Sequence, residues 1–176
     1  RARLTLDSDN APAFTLMSET GEPLARFSAE TDDAVRLSFR DARGKARLAL
    51  DTSPAGEPSV ALADAAGVER LSLTGTGNAP RLTLNDEQGR HRTLLVTFPT
   101  GEPSLSFMDP NGKVWALVHT TPEGAPRFEL FGELGHAGLH SSVEADGTVA
   151  LSLTDRDGEL AAQLAEAPDS GPYFAL

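Results

Sequence analysis

The 176-residue chain contains no cysteine, few aromatic residues and no long apolar run. The absence of cysteine excludes disulfides, thiolate metal sites and thiol nucleophiles, and leaves the redox compartment open. No apolar run approaches the roughly twenty residues that a membrane-spanning helix needs. Basic residues are also few, because 15 Lys and Arg stand against 26 Asp and Glu, for a formal charge of −11. Nucleic acid and anionic membranes would repel this chain, so neither is an expected partner.

One pattern of about twenty-three residues recurs along the whole chain. The full pattern is Arg-Leu-x-Leu, a turn rich in Gly and Pro, a second Leu-x-Leu and an Asp-x-x-Gly turn. Neighbouring copies at 47–67 and 70–89 show it most plainly. Repetition at this period indicates a repeat architecture, in which each unit packs against its neighbours. We therefore expect residues 1–176 to form a single continuous repeat domain.

The chain begins in the middle of a copy. Residues 1–6 match 45–50, and there is no initiator Met. We expect the sequence to be a fragment of a longer polypeptide, whose missing N-terminal segment would hold a signal, an anchor or another strand.

Each Leu-x-Leu segment alternates apolar with small or polar residues, which predicts a short strand with one buried face. The residues predicted to face inward are Leu4/Leu6, Phe14/Leu16, Leu37/Phe39, Leu48/Leu50, Val60/Leu62, Leu71/Leu73, Leu82/Leu84, Leu105/Phe107, Phe128/Leu130 and Leu151/Leu153, with weaker copies at Phe27/Ala29, Leu94/Val96 and Phe174/Leu176. Turns such as 64–67 and 109–112 suit a type I turn followed by glycine at positive φ, the connection of an antiparallel hairpin. Residues 160–164 are the nearest candidate for a helix, and they fit a strand equally well.

The sequence therefore predicts an all-β fold of about fifteen strands. We expect an antiparallel hairpin meander, coiled into a solenoid or an elongated sandwich so that the leucines share one dry interior. A parallel β-roll is the alternative, because one repeat also fits one coil. The hairpin turns favour the antiparallel arrangement.

The Asp-x-x-Gly hairpins, for example 64–67 and 86–89, resemble the tyrosine–aspartate (RHS-type) repeats of bacterial shells and toxins, with Leu or Phe where those repeats have Tyr. They are also similar to bacterial envelope proteins in which a membrane helix precedes such repeats. The resemblance implies an extracytoplasmic location, in the periplasm or cell envelope, with a membrane tether.

Side chains with catalytic or metal-binding chemistry are sparse. His136 and His140 would lie about 13 Å apart along a strand, too far to share a metal unless the glycines between them bend the chain. The carboxylates of 7–10 and 155–159 resemble the start of calcium loops, but the later oxygen ligands are missing and the repeat requires turns there. We predict no metal site, no cofactor, no catalytic residues and no enzyme activity.

In the middle repeats the polar face of the predicted strands becomes apolar. The residues that replace Ser, Asp, Asn or Ala there are Leu95, Met108, Trp115, Leu117 and Phe131. A contiguous apolar surface indicates an interface, so we predict that these five residues contact a protein partner. The alternative is that an extra residue between 93 and 98 shifts the register and buries some of them.

The sequence thus predicts a non-enzymatic structural or interaction scaffold. We expect an accessory subunit that docks on a larger membrane-associated or envelope assembly through protein partners. The alternatives are a glycan- or calcium-binding repeat module and a self-assembling fibre segment, whose strand edges would pair.

Overall fold

The computed structural model describes residues 1–6, 10–30 and 34–176, which form β-strands joined by tight turns. None of these described residues belongs to a helix that is long and apolar enough to span a membrane. Contacts divide the chain into two compact units, Arg1–Arg90 and His91–Leu176.

The described part of the first unit contains eight strands, and each pairs antiparallel with the next one along the chain. These strands are β1 (Ala2–Leu6), β2 (Pro12–Met17), β3 (Pro23–Ala29), β4 (Val35–Arg40), β5 (Ala46–Thr52), β6 (Pro58–Ala63), β7 (Glu69–Thr74) and β8 (Arg81–Asn85). The sheet follows from the sequence because every Leu-x-Leu segment is a strand and every Asp-x-x-Gly segment is a hairpin turn.

The second unit repeats this arrangement with eight further antiparallel strands. They are β9 (His91–Thr97), β10 (Pro103–Met108), β11 (Val114–Thr120), β12 (Pro126–Phe131), β13 (Ala137–Val143), β14 (Val149–Thr154), β15 (Leu160–Ala167) and β16 (Gly171–Ala175). Residues 160–164, the nearest candidate for a helix, thus belong to strand β15.

The predicted all-β antiparallel hairpin meander is confirmed, and the parallel β-roll is wrong. Within each unit, the described strands contact only their neighbours along the chain. Each unit is therefore a single-layer sheet in its described part, without the second layer that a sandwich would supply. The prediction of one continuous domain over 1–176 stays a prediction.

Burial is the reverse of the expectation that the leucines are dry and the serines exposed. Ser28 and Ser152 are 2% and 1% exposed, whereas Leu62 and Leu73 are 40% and 50% exposed. Without a second layer, a large side chain has only lateral neighbours and projects beyond them. A small side chain lies close to the backbone, where longer neighbours shield it. The expectation of a shared dry leucine interior is therefore wrong within each unit.

The aspartate of the repeat organises each hairpin through its own side chain. Asp64 Oδ1 accepts hydrogen bonds from the backbone N–H groups of Ala66 and Val68, at 2.9 and 3.0 Å. The turn closes through Gly67, whose N–H donates to the Asp64 carbonyl at 2.9 Å and whose φ is +89°. Asp41, Asp86, Asp109 and Asp155 accept the same pair of backbone bonds. Asp-x-x-Gly is therefore a hairpin signal with a direct physical basis.

The arginine of Arg-Leu-x-Leu lies six residues after this aspartate and links successive hairpins. Arg70 Nη1 contacts Asp64 Oδ2 at 3.2 Å, and its Nε donates to the carbonyl of Asn85 at 3.0 Å. Arg47 likewise binds Asp41 and the carbonyls of Asp64 and Ala65. The repeat thus places one arginine side chain at a position where that side chain binds both its own hairpin and the next one.

Two glycine substitutions test the backbone requirement of the hairpin. Gly112 has a φ of +83° and open space where the methyl group of an alanine would stand, so Gly112→Ala should destabilise by about 1–2 kcal/mol through backbone strain alone. Gly138 lacks a positive φ, and a Cβ there would meet only the Leu130 carbonyl oxygen at 3.8 Å. Gly138→Ala should be neutral or stabilise by up to about 1 kcal/mol. Urea unfolding followed by circular dichroism measures both, and equal effects would contradict the turn assignment.

The hairpin aspartates also predict how stability depends on pH. The N–H of Val68 is the main cause that lowers the pKa of Asp64, and Arg47 is the main cause that lowers the pKa of Asp41. A carboxylate with a lowered folded pKa stabilises the fold above its unfolded pKa of about 3.9, and this stabilisation is lost as pH falls through the folded pKa. We expect the urea midpoint to be flat from neutral pH to about 5 and to fall below about 4.

The variant Asp64→Asn keeps an acceptor oxygen and removes the charge. It should lower the midpoint at pH 7 and make the acid decline shallower. Asp157→Asn removes the same charge from a hairpin side chain that is 72% exposed, and this matched control should keep the urea midpoint at pH 7 close to that of wild type. An identical acid decline in wild type and Asp64→Asn would exclude Asp64 as a contributor.

Candidate interaction surfaces

The first unit carries two continuous rows of apolar side chains on one side of its sheet. Cross-strand pairing places Leu50 between Leu37 and Val60, and places Leu62 between Leu48 and Leu71. These two rows are named the leucine face of the first unit. Its members are Leu4, Phe14, Phe27, Leu37, Leu50, Val60, Leu73 and Leu82 in one row, and Leu16, Ala25, Phe39, Leu48, Leu62, Leu71 and Leu84 in the other.

This leucine face is exposed and carries no charge in either row. Nine of its fifteen side chains are exposed, as at Phe14, Phe39 and Leu84, and the other six are partly buried. The charged residues of the strands lie on the other side, named the serine face, where Arg36 pairs with Asp51. No described strand of the unit covers the leucine face, since strands contact only their chain neighbours. A contiguous apolar surface of this kind is unusual on a monomer and indicates a binding surface.

The second unit has a corresponding face that polar and small residues interrupt. One row contains Leu95, Leu105, Val118, Phe128, Ser141, Leu151, Leu164 and Phe174, and the other contains Thr93, Phe107, Ala116, Leu130, Leu139, Leu153 and Ala162. Thr93 and Ser141 place polar groups within these rows, and Ala116 and Ala162 leave two small positions, whereas the rows of the first unit contain one alanine, Ala25. The first unit therefore offers the more continuous of the two faces.

The five residues predicted as an interface do not share one face. Leu117 pairs with Ser106 on the serine face, and strand alternation puts Met108, Trp115 and Phe131 on that side as well. Leu95 pairs with Leu105 and belongs to the leucine face.

The register of β9 explains why Leu95 differs from its four predicted partners. Leu94 and Val96, which the sequence places inward with the leucines, pair with Ser106 and Ser104 on the serine face. The extra residue in this segment shifts the alternation by one position, which moves a whole strand's side chains to the other side. Leu94 and Val96 therefore do not share the side of the leucines, although Val96 is buried, at 8% exposed.

Trp115 occupies the position that arginine holds in the first unit, six residues after the hairpin aspartate. The Lys113 Nζ atom lies 5.1 Å from the centre of its ring, which is 41% exposed. The N–H of Lys113 is the main cause that lowers the pKa of Asp109, and hydrogen bonding from Trp115 lowers it further. Trp115 therefore supports its hairpin as well as presenting a ring to solvent. The six-residue spacing is the sequence signal for this role.

The histidines acquire partners that the sequence does not reveal. His119 Nε2 lies 3.3 Å from Glu129 Oε2, and Glu129 pairs across the strands with His140. His136 lies instead over Gly158, with its Nδ1 atom 3.3 Å from where a Cβ would stand. In the described ranges, no three acidic or histidine side chains are grouped to hold a metal.

The two candidate calcium segments have different outcomes. Asp155 Oδ1 accepts the N–H groups of Asp157 and Glu159, at 2.9 and 3.0 Å, so this segment is a hairpin turn like the others. In the other segment, Asp7, Ser8 and Asp9 lie outside the described residues.

No protein-family model matches the chain, and no curated protein matches its sequence. Among solved structures, the chain is similar to the TCP10 domain of Danio rerio CPAP in complex with a peptide of Danio rerio STIL, at 14% identity and a TM-score of 0.44, over 93% of this chain and 74% of that one. It is also similar to the SAS-4 (dCPAP) TCP domain of Drosophila melanogaster in complex with a proline-rich motif of Ana2 (dSTIL), at 11% identity and a TM-score of 0.34, over 99% and 89%. Likeness at this level assigns no family and no ligand to the chain.

Substitution of Trp115 tests its place in the hairpin. Trp115→Arg should remain within about 0.5 kcal/mol of wild type, because Arg47 and Arg70 fill the same position. Trp115→Ala removes both the cation–π contact and the bond to Asp109, and should cost about 1 kcal/mol. Thermal unfolding distinguishes the two variants, and an equal loss in both would show that the position is not equivalent to that of the arginines.

Proposed function

We propose that the chain is a non-enzymatic interaction scaffold whose leucine face of the first unit binds a protein partner. The observation that carries this proposal is the uncharged double row of apolar side chains, half exposed at residues such as Leu62 and Leu73. Covering several hundred Å2 of apolar surface is worth on the order of 10 kcal/mol before the costs of association. The face therefore supplies a driving force for binding without any specific polar contact.

The chemistry of the face also describes the partner. A charged partner finds no counter-charge within the two rows, whereas an uncharged apolar protein surface loses nothing on contact. The net charge of −11 resides elsewhere and disfavours nucleic acid and anionic lipid. The fitting partner is thus a protein that presents an apolar, uncharged surface.

We further propose that the chain is an accessory subunit of a membrane-associated or envelope assembly, outside the cytoplasm. It is supported by the resemblance of the Asp-x-x-Gly hairpins to envelope repeat proteins. The serine-face patch of Met108, Trp115, Leu117 and Phe131 is the second candidate docking surface, since Trp115 presents an exposed ring there.

Affinity capture from native membranes, with partners identified by mass spectrometry, tests both surfaces. The double variant Leu62→Lys/Leu73→Lys adds two charges to the leucine face and should lose the partners that wild type recovers. The matched control, Ala42→Lys/Ala65→Lys, adds the same charges to exposed, equivalent positions of two hairpins and should recover them. Circular dichroism confirms that each variant folds.

The double variant Met108→Lys/Phe131→Lys tests whether the serine-face patch binds the partners. Loss of partners with this variant alone would move the docking site to the serine face. Equal recovery by wild type and all three variants would contradict the proposed function, and partners found only in cytoplasmic fractions would contradict the envelope location.

A further inference from the structure

We propose that the partner of the leucine face of the first unit is a second copy of this chain, packed face to face. This inference rests on the proposed function, because it names the occupant of the same surface. It begins from the missing layer: an antiparallel sheet is stable with one face solvated when the other packs on an apolar layer. The described strands of the first unit supply only one layer.

The hydrogen-bonding needs of a partner favour a sheet over a single extended peptide. The two rows offer leucine, phenylalanine, valine and alanine side chains and no polar group. A peptide lying on them would leave part of its backbone N–H and C=O groups without partners, which costs free energy for each group. A second sheet arrives with those groups already paired within its own ladder.

The distribution of charge favours the same sheet from a second copy of the chain as the partner. Both rows of the face are uncharged, so two copies bring no like charges into contact at their centre. The strand charges, such as the pair Arg36 and Asp51, lie on the serine face, where face-to-face packing points them outward. Sheets pack about 10 Å apart, so these charges would remain solvated and screened.

The area of the face matches what a stable dimer requires. Eight strands about 4.8 Å apart, each about five residues long with a rise of about 3.4 Å per residue, give a sheet face of roughly 650 Å2 in each copy. Two such faces would bury roughly 1,300 Å2 in total, within the range of specific interfaces. A twofold axis makes the contact self-complementary and closes the assembly at two copies.

The regular rows suit interdigitation between two such sheets. Side chains recur at every strand, and both rows are filled by large apolar residues except at Ala25. Two faces rotated by about 30° can then place the side chains of one between those of the other. The second unit lacks this continuity because Thr93, Ala116 and Ser141 interrupt its rows, so the first unit is the dimer surface.

Sedimentation velocity over a wide concentration range tests the inference on the whole chain. Wild type should pass from 18.5 kDa to twice that mass as concentration rises. Leu62→Lys/Leu73→Lys should weaken association at least tenfold, because twofold symmetry places four new charges in one interface. Ala42→Lys/Ala65→Lys should associate like wild type, as should Leu151→Lys on the second unit.

A second variant keeps the test decisive if the lysines prevent folding. Leu62→Thr/Leu73→Thr keeps high strand propensity, removes apolar surface and should also weaken association at least tenfold. A dimer that both leucine-face variants leave intact overturns the inference and points to strand edges instead.

Three further outcomes separate this inference from the proposed function. A wild-type chain that stays monomeric throughout, while membrane capture still depends on Leu62 and Leu73, overturns the second copy and leaves the proposed function standing. A chain that stays monomeric and floats with neutral phosphatidylcholine vesicles, but loses this flotation in the Leu62 and Leu73 variants, overturns the self-pairing inference and identifies lipid as the ligand. Loss of the dimer in the leucine-face variants, with no change in membrane capture, supports self-pairing and contradicts the capture of another protein there.

Discussion

The backbone hydrogen-bond ladder between neighbouring strands is the interaction on which the rest of this structure depends. Globular domains ordinarily gain most of their stability by burying side chains between two layers. In each unit here, the described strands have neighbours only on their left and right, and few large side chains are buried. The ladder and the hairpins that fix its register therefore carry a larger share of the stability. This explains why the hairpins that begin at Asp41, Asp64 and Asp86 each combine an aspartate, a glycine and an arginine.

The absence of a second layer within the described part of each unit also explains which features the sequence could and could not predict. The strands and hairpins were predictable because alternation and Asp-x-x-Gly are local signals. The Asp64 side chain, for example, accepts its backbone hydrogen bonds from residues only two and four positions along the chain. The exposure of Leu73 was not predictable, because alternation separates two faces without stating whether anything covers either one. The same limit applies to Leu95: the sequence shows an extra residue in β9 but leaves the face of Leu95 undecided, and cross-strand pairing places its side chain with the leucines.

For the leucine face as well, local features could be predicted from the sequence, whereas features that depend on distant residues could not. The composition of the leucine face is visible in every Leu-x-Leu pair, yet the pattern predicts a core because apolar rows usually form one. The role of Arg70 is visible in the sequence only as a recurring spacing within the repeat, six residues after Asp64. Its second bond, to the Asn85 carbonyl, joins residues fifteen apart in sequence and needs the paired strands to bring them together.

An uncovered apolar face must remain soluble until its partner arrives, and the placement of charge addresses this problem. The strands of the first unit carry seven arginines against Asp51 and Glu69, so two serine faces that meet bring like positive charges together. An approach that brings the two uncharged leucine rows together avoids this repulsion. The same arrangement disfavours open-ended stacking, because the outward face of a closed pair is the charged serine face. Electrostatics thus restricts the orientation of contact, while the leucine rows supply its free energy.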